Sequence, residues 1–187
     1  MAHAPAVSPQ RLHQRGITRD EFEALMARGA FDDESRFELI DGRLFAMTYP
    51  SPEHENVIQA LTQLLVSQIK DLRVQLSVGC GATSLPFPDL ALARPANVRS
   101  RPEGARLAIE VVVTQWREAQ LKLPVYAEGG VEEYWIVHEP KRVVFVHRGA
   151  AGREYTETHT LSGSDLLTVP GTDIAFTVDD LFTTAGY

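Results

Sequence analysis

The sequence predicts a mixed α/β domain. Three observations predict it. Two short apolar runs, Leu90-Ala-Leu-Ala93 and Leu107-Ala-Ile-Glu-Val-Val-Val113, have the length and branching of buried strands. An apolar stripe at helical spacing, Val57, Ile58, Leu61, Leu64, Leu65 and Ile69, precedes them. Asp41-Gly42 between two strand-like runs is a strong hairpin signal. Helix, hairpin, helix, strands, helix, strands is the resulting order, with no internal repeat and no second domain.

Each element has a local reason. Residues 1–16 mix Pro, Ala, His and Arg without periodicity and read as a loose arm, leaving 17–187 as one domain. Thr18-Arg-Asp-Glu21 is a capping box, opening a short helix with Phe22, Leu25 and Met26 that stops at Gly29. Arg36–Ile40 and Arg43–Met47 flank the Asp41-Gly42 turn, and Glu38 lies on the face opposite Phe37 and Leu39. Ser51-Pro52 pairs an N-cap with proline at the first helical position, and His54 falls in that first turn. Arg73–Val78 reads as a strand broken by Gly79-Cys80-Gly81, and 95–104 as a solvated loop. Thr114–Glu128 reads as a helix ended by Gly129-Gly130, with Pro124 expected to bend or divide it. Glu132–His138, Arg142–Arg148 and Arg153–Leu161 are further strands, the first two joined by a Glu-Pro-Lys turn, and Val178–Phe182 is a closing short helix.

Composition narrows the function. At 187 residues, 44% of them hydrophobic, the chain can bury one ordinary core. No apolar run reaches the ~20 residues that span a bilayer, and no basic region precedes an apolar one at the N-terminus. Cys80 is the single cysteine, which excludes an intrachain disulfide and a cysteine zinc cluster and points to a reducing cytoplasm. A net charge of −7 argues against a broad basic nucleic-acid surface, while leaving room for an acidic site that recruits cations before it meets phosphate.

Asp89 heads the first apolar run and Glu110 sits inside the second. An ionised carboxylate among such neighbours is costly without a cation, a donor or a metal. Lys122 follows on the next element. Two acids and a lysine converging at a sheet is the layout of a divalent-metal phosphodiesterase site. Ordinary readings stand beside this one. Asp89 after proline could be a turn or cap group. Glu118, four residues before Lys122, could form an exposed helix pair with it. Glu38 could be a solvated hairpin acid and His54 a helix-end surface residue. Tyr134 and Trp135 read as core or interface aromatics.

These pieces together resemble a known family. Phe37-Glu-Leu-Ile-Asp-Gly42, Ser51-Pro-Glu-His54, Pro88-Asp-Leu-Ala-Leu92, Ile109-Glu-Val111, Lys122-Leu-Pro-Val-Tyr-Ala127 and Gly130-Val-Glu-Glu-Tyr-Trp135 match, in order, the Uma2 (DUF820) group of endonucleases within the PD-(D/E)XK restriction-endonuclease-like superfamily. The match covers roughly residues 18–182. It implies a central mixed sheet flanked by helices, with the acids at one end of the sheet. It maps the metal-binding aspartate to Asp89 and the second acid to Glu110, with the Val111 backbone as a further ligand. It maps the lysine to Lys122 on the following helix, since Val112 occupies the usual place, and Glu38 to the upstream acid. Gln115, Glu118 and His54 are accessory candidates. Mg²⁺ or Mn²⁺ is the implied cofactor and DNA the implied substrate.

Two departures bear on the site. The segment after Glu110-Val-Val-Val113 is about two residues shorter than usual, with Glu118 near the family aspartate's place, and Pro124 replaces a helix former. The reading is therefore a metal-dependent endonuclease acting on DNA phosphodiesters. The rivals are a degenerate member that binds nucleic acid or a partner without cleaving, and an assembly protein in which the Glu132–Val137 strand mediates dimerisation. A homodimer is expected in any case, because the C-terminal strands carry more Val, Tyr, Phe and Trp than one small sheet readily covers. If Lys122 serves the site, Lys122→Met is expected to abolish cleavage with little change in melting temperature.

Overall fold

A computed structural model describes residues 15–31, 36–94, 96 and 99–187. The expected arm lies outside them up to residue 14, as does part of the 95–104 loop. Helix α1 (Arg19–Ala27) opens on Thr18, whose side chain accepts from the Glu21 N–H while the Glu21 carboxylate accepts from the Thr18 N–H. Strands β1 (Phe37–Ile40) and β2 (Arg43–Ala46) form the hairpin. Asp41 and Gly42 both take positive φ, 48° and 74°, which is what a two-residue turn of this hand requires. Helix α2 (Pro52–Val66) starts where Ser51 caps the His54 N–H and buries Val57, Ile58, Leu61 and Leu65.

The central sheet has six strands in the order β3-β4-β5-β6-β7-β8. These are β3 (Leu72–Val74), β4 (Leu90–Ala93), β5 (Ala105–Val112), β6 (Val131–His138), β7 (Val143–Ala151) and β8 (Glu154–Ser162). Only β5 and β6 are parallel, and helix α3 (Trp116–Glu128) is the crossover between them. Alternation along the strands splits the core in two. Leu90, Leu92, Ile109, Val111, Trp135 and Val137 pack toward α2. Ala91, Ala108, Val112, Tyr134 and Ile136 pack toward α3. Buried on both faces, β4 and β5 read as continuous apolar runs, as expected.

Several expectations change. The strand read over 73–78 stops at Val74, because Gln75 takes φ 50° and turns the chain. Pro124 does not divide α3, which is one helix from Trp116 to Glu128; the missing N–H costs a single ladder bond within a packed element. A small hairpin, β9 (Leu166–Thr168) with β10 (Ala175–Thr177), precedes α4 (Val178–Thr184) and escaped the sequence reading, being only three residues per strand. The Glu132–Val137 segment cannot mediate dimerisation as a strand edge, because β6 is hydrogen-bonded on both sides, to β5 and β7. No helix of the described residues is long and apolar enough to cross a membrane.

Candidate active site

The site forms where β4 begins and β5 ends, between the first turn of α2 and the middle of α3. Leu90 pairs with Ile109, so Asp89 stands one step beyond, beside Glu110. Asp89 Oδ2 accepts from the Val111 N–H at 2.8 Å, which ties the Asp89 carboxylate to the neighbouring strand at the residue after Glu110. The same oxygen meets His54 Nε2 at 3.1 Å. Glu110 points toward α3. Its Oε1 accepts from Lys122 Nζ at 2.9 Å and from the Tyr126 hydroxyl at 2.7 Å. Lys122 and Tyr126 lie four residues apart on one helix face, which is why both reach the same oxygen. Lys122 Nζ also pairs with Glu38 Oε2 at 2.9 Å, and that oxygen accepts from the Phe87 N–H at 3.3 Å. The acids thus lean to different helices, Asp89 to α2 and Glu110 to α3, and meet at the strand ends.

All four central side chains are buried: Glu38, Asp89, Glu110 and Lys122. They line one end of a cleft of about 500 Å³ that Arg36 and His54 also border. Burial pushes the Glu110 carboxyl up to about 7, against the pull of Lys122, with the Asp89 and Glu38 charges adding to the rise. Burial works against the Lys122 ammonium too, but Glu110 and Glu38 outweigh it and hold the lysine charged. Burial would lower His54; the hydrogen bond and charge of Asp89 reverse this and raise it.

The exposed-pair reading of Lys122 fails, since the ammonium faces Glu38 and Glu110 and not Glu118. Glu118 is exposed and borders the cleft. Gln115 is the N-cap position of α3 and also borders the cleft, its side chain accepting only from the Thr114 N–H, at 3.4 Å. The solvated reading of Glu38 fails as well, because the hairpin folds its carboxylate into the cleft. Tyr126 is the residue that the motif contained but that was not singled out. Its spacing from Lys122 was the available signal.

Among the described residues, no group of three or more His, Cys, Asp or Glu side chains is arranged to hold a metal ion. What converges instead is a pair of carboxylates next to the Val111 backbone. Hydrogen bonds engage one oxygen of each, Asp89 Oδ2 and Glu110 Oε1. Such a donor set fits Mg²⁺ or Mn²⁺, which bind through one or two carboxylates and complete their shells with water and phosphate oxygens.

No curated protein matches the sequence. A solved structure, described as a "putative nuclease belonging to DUF820 from Anabaena variabilis", superposes with a TM-score of 0.73 at 19% identity. The likeness covers 90% of this chain and 99% of that one, so the two share a fold. Residues 19–179 match the Uma2 family, described as "Putative restriction endonuclease". That match spans both core faces and every residue of the cleft described above, and by it the chain belongs to the Uma2 family.

Proposed function

We propose that this protein is a Mg²⁺- or Mn²⁺-dependent endonuclease that hydrolyses DNA phosphodiester bonds in the cleft between α2 and α3. The observation that carries the reading is the buried Lys122 ammonium, held 2.9 Å from both Glu38 and Glu110 beside Asp89. One carboxylate is enough to neutralise one lysine. Two meet the ammonium and Asp89 stands beside them, so the cleft holds more carboxylates than its lysine balances, and that excess favours a cation. Asp89 and Glu110, with the Val111 carbonyl, would hold the ion, which supplies Lewis acidity toward the phosphate and favours deprotonation of water.

The chain's own groups do the rest. Lys122 offers an ammonium to orient the attacking water or to meet charge developing on phosphorus oxygens. Glu38 shares that ammonium and fixes its direction. His54 and the Val111 N–H hold Asp89 in place, and Tyr126 does the same for Glu110. The reading extends to one domain over 17–187, a cytoplasmic location, for which the lone buried Cys80 is the support, and a homodimer.

The test is cleavage of plasmid DNA with Mg²⁺, Mn²⁺ or chelator, for the native chain and for Asp89→Asn and Glu110→Gln. Metal-dependent cleavage that both substitutions reduce by orders of magnitude is the expected result. The segment after Glu110-Val-Val-Val113, about two residues shorter than usual in the family, favours a second reading, a nuclease fold that binds without cutting. Calorimetric Mg²⁺ binding with no hydrolysis of duplex, supercoiled or single-stranded DNA would establish that alternative.

A further inference from the structure

Strand β8 is the outer strand of the sheet and is long for an edge, nine residues from Glu154 to Ser162. Its side chains are exposed at every position except Tyr155 and Leu161, which are half-buried. Edge strands are usually blunted by proline, lysine, a bulge or short length. β8 has none of these; its only blunting charges are Glu154 and Glu157, and four of its residues are threonines or tyrosine with high strand preference.

The sequence of this edge, Glu-Tyr-Thr-Glu-Thr-His-Thr-Leu-Ser, is complementary to itself when reversed. We propose that the β8 edge pairs with the β8 edge of a second copy of this chain, antiparallel about a two-fold axis at Thr158. That register sets Thr158 opposite Thr158 and Thr156 opposite Thr160. It also sets Glu157 opposite the partner's His159, twice by symmetry. Glu157 and His159 already share one face of the strand, Glu157 Oε2 and His159 Nε2 3.7 Å apart and both side chains exposed, an ion pair when the imidazole is protonated. Across the axis each gains an opposite partner at the distance of directly paired residues.

The charges choose the register. Antiparallel partners must match in hydrogen-bonding phase, so the axis must pass through a residue position. An axis at Glu157 would oppose two carboxylates, and one at His159 two imidazoles. An axis at Thr156 would set Glu157 against Tyr155 and leave His159, Thr160, Leu161 and Ser162 unpaired. Only the axis at Thr158 pairs Tyr155 to Leu161 throughout without a like-charge contact; Ser162 lies beyond the paired stretch, its N–H and carbonyl engaged by Asp165. A closed two-fold contact of this kind uses the same edge on both copies, and so consumes both β8 edges without propagating.

This inference does not rest on the nuclease reading, and neither Glu157 nor His159 borders the cleft. The experiment uses the full chain with light scattering and sedimentation over a concentration series. The native chain is expected to be dimeric. Glu157→Lys sets a lysine against His159, and His159→Glu sets a second carboxylate against Glu157. Each variant alone is therefore expected to raise the dimer dissociation constant at least about tenfold. Mixing the two variants restores opposite charge at both crossings. The lysine introduced at position 157 of one copy faces the carboxylate introduced at position 159 of the other, and the two native residues face each other at the second crossing. The mixture is expected to return the dimer as a heterodimer. Both positions are exposed, so circular dichroism should show unchanged folding. A monomeric native chain overturns the proposal. So does a dimer that both single variants leave intact, which would place the interface elsewhere, and so does a mixture that stays monomeric.

Discussion

Replacing Lys122 by methionine keeps the side-chain stem and deletes the charge that sits between Glu38 and Glu110. The sequence reading expected little effect on melting temperature; burial of the ammonium reverses that expectation. Breaking a buried pair by removing one partner costs ~3–5 kcal/mol, because the charge left behind is uncompensated. Here the cost has a ceiling, since a stranded carboxylate can take up a proton. For Glu110, moving from the ordinary 4.5 to neutrality at pH 7 costs about 3 kcal/mol. The native chain already bears most of this, since Glu110 sits at about 7 with Lys122 in place, so the added loss through Glu110 is below ~1 kcal/mol at pH 7 and grows above it. The pH dependence has a definite sign. A carboxyl whose folded value is raised binds more protons folded than unfolded, so stability falls as pH rises from about 4.5 toward the raised value. Without Lys122 that value rises further, and the gap between native and variant should widen from about pH 6 to about pH 8, as pH passes the native value of about 7. Urea unfolding at both values measures it, and adding Glu38→Gln to the variant should recover part of the loss. Equal stability of native and variant chains at pH 8 would refute the buried-pair account. Full metal-dependent cleavage by a folded variant would refute the catalytic role.

Tyr126→Phe removes one of the two donors to Glu110 Oε1 while keeping the ring against Tyr134. It should cost ~1.5–3 kcal/mol in urea unfolding, the usual range for a bond to a charged group, and weaken calorimetric Mg²⁺ binding without abolishing it. His147 is buried with Nε2 lacking a hydrogen-bond partner, and burial lowers its pKa from the ordinary 6.5. A base whose folded value is depressed contributes stability that is present above about pH 6.5 and lost as pH falls below it. His147→Phe should therefore flatten the fall in melting temperature between neutral pH and about pH 5, and an unchanged pH profile would exclude this residue as its source.

What the sequence determined by itself is largely local. Thr18 with Glu21, Ser51 with Pro52, and Asp41 with Gly42 set their elements because each satisfies backbone groups or torsions within a few residues. Period and branching were enough for β4 and β5, since a strand buried on both faces must be apolar throughout. The same apolar runs exposed Asp89 and Glu110 as groups needing partners. The partners themselves were decided by tertiary structure. Lys122 could have faced Glu118 on its own helix, and the two choices are indistinguishable from spacing. The crossover of α3 over β5 turns that face onto the sheet, where Glu38 and Glu110 are stronger company for a buried ammonium than an exposed neighbour. His54 meets Asp89 across 35 positions and Glu38 meets the Phe87 N–H across 49, contacts that no local pattern encodes. The β9–β10 hairpin likewise has too few residues for periodicity to show; it exists because Leu167 and Phe176 find the α2 side of the core. Backbone chemistry acts within one turn and can be read along the chain, whereas the cost of a buried charge depends on which distant groups the fold brings to it.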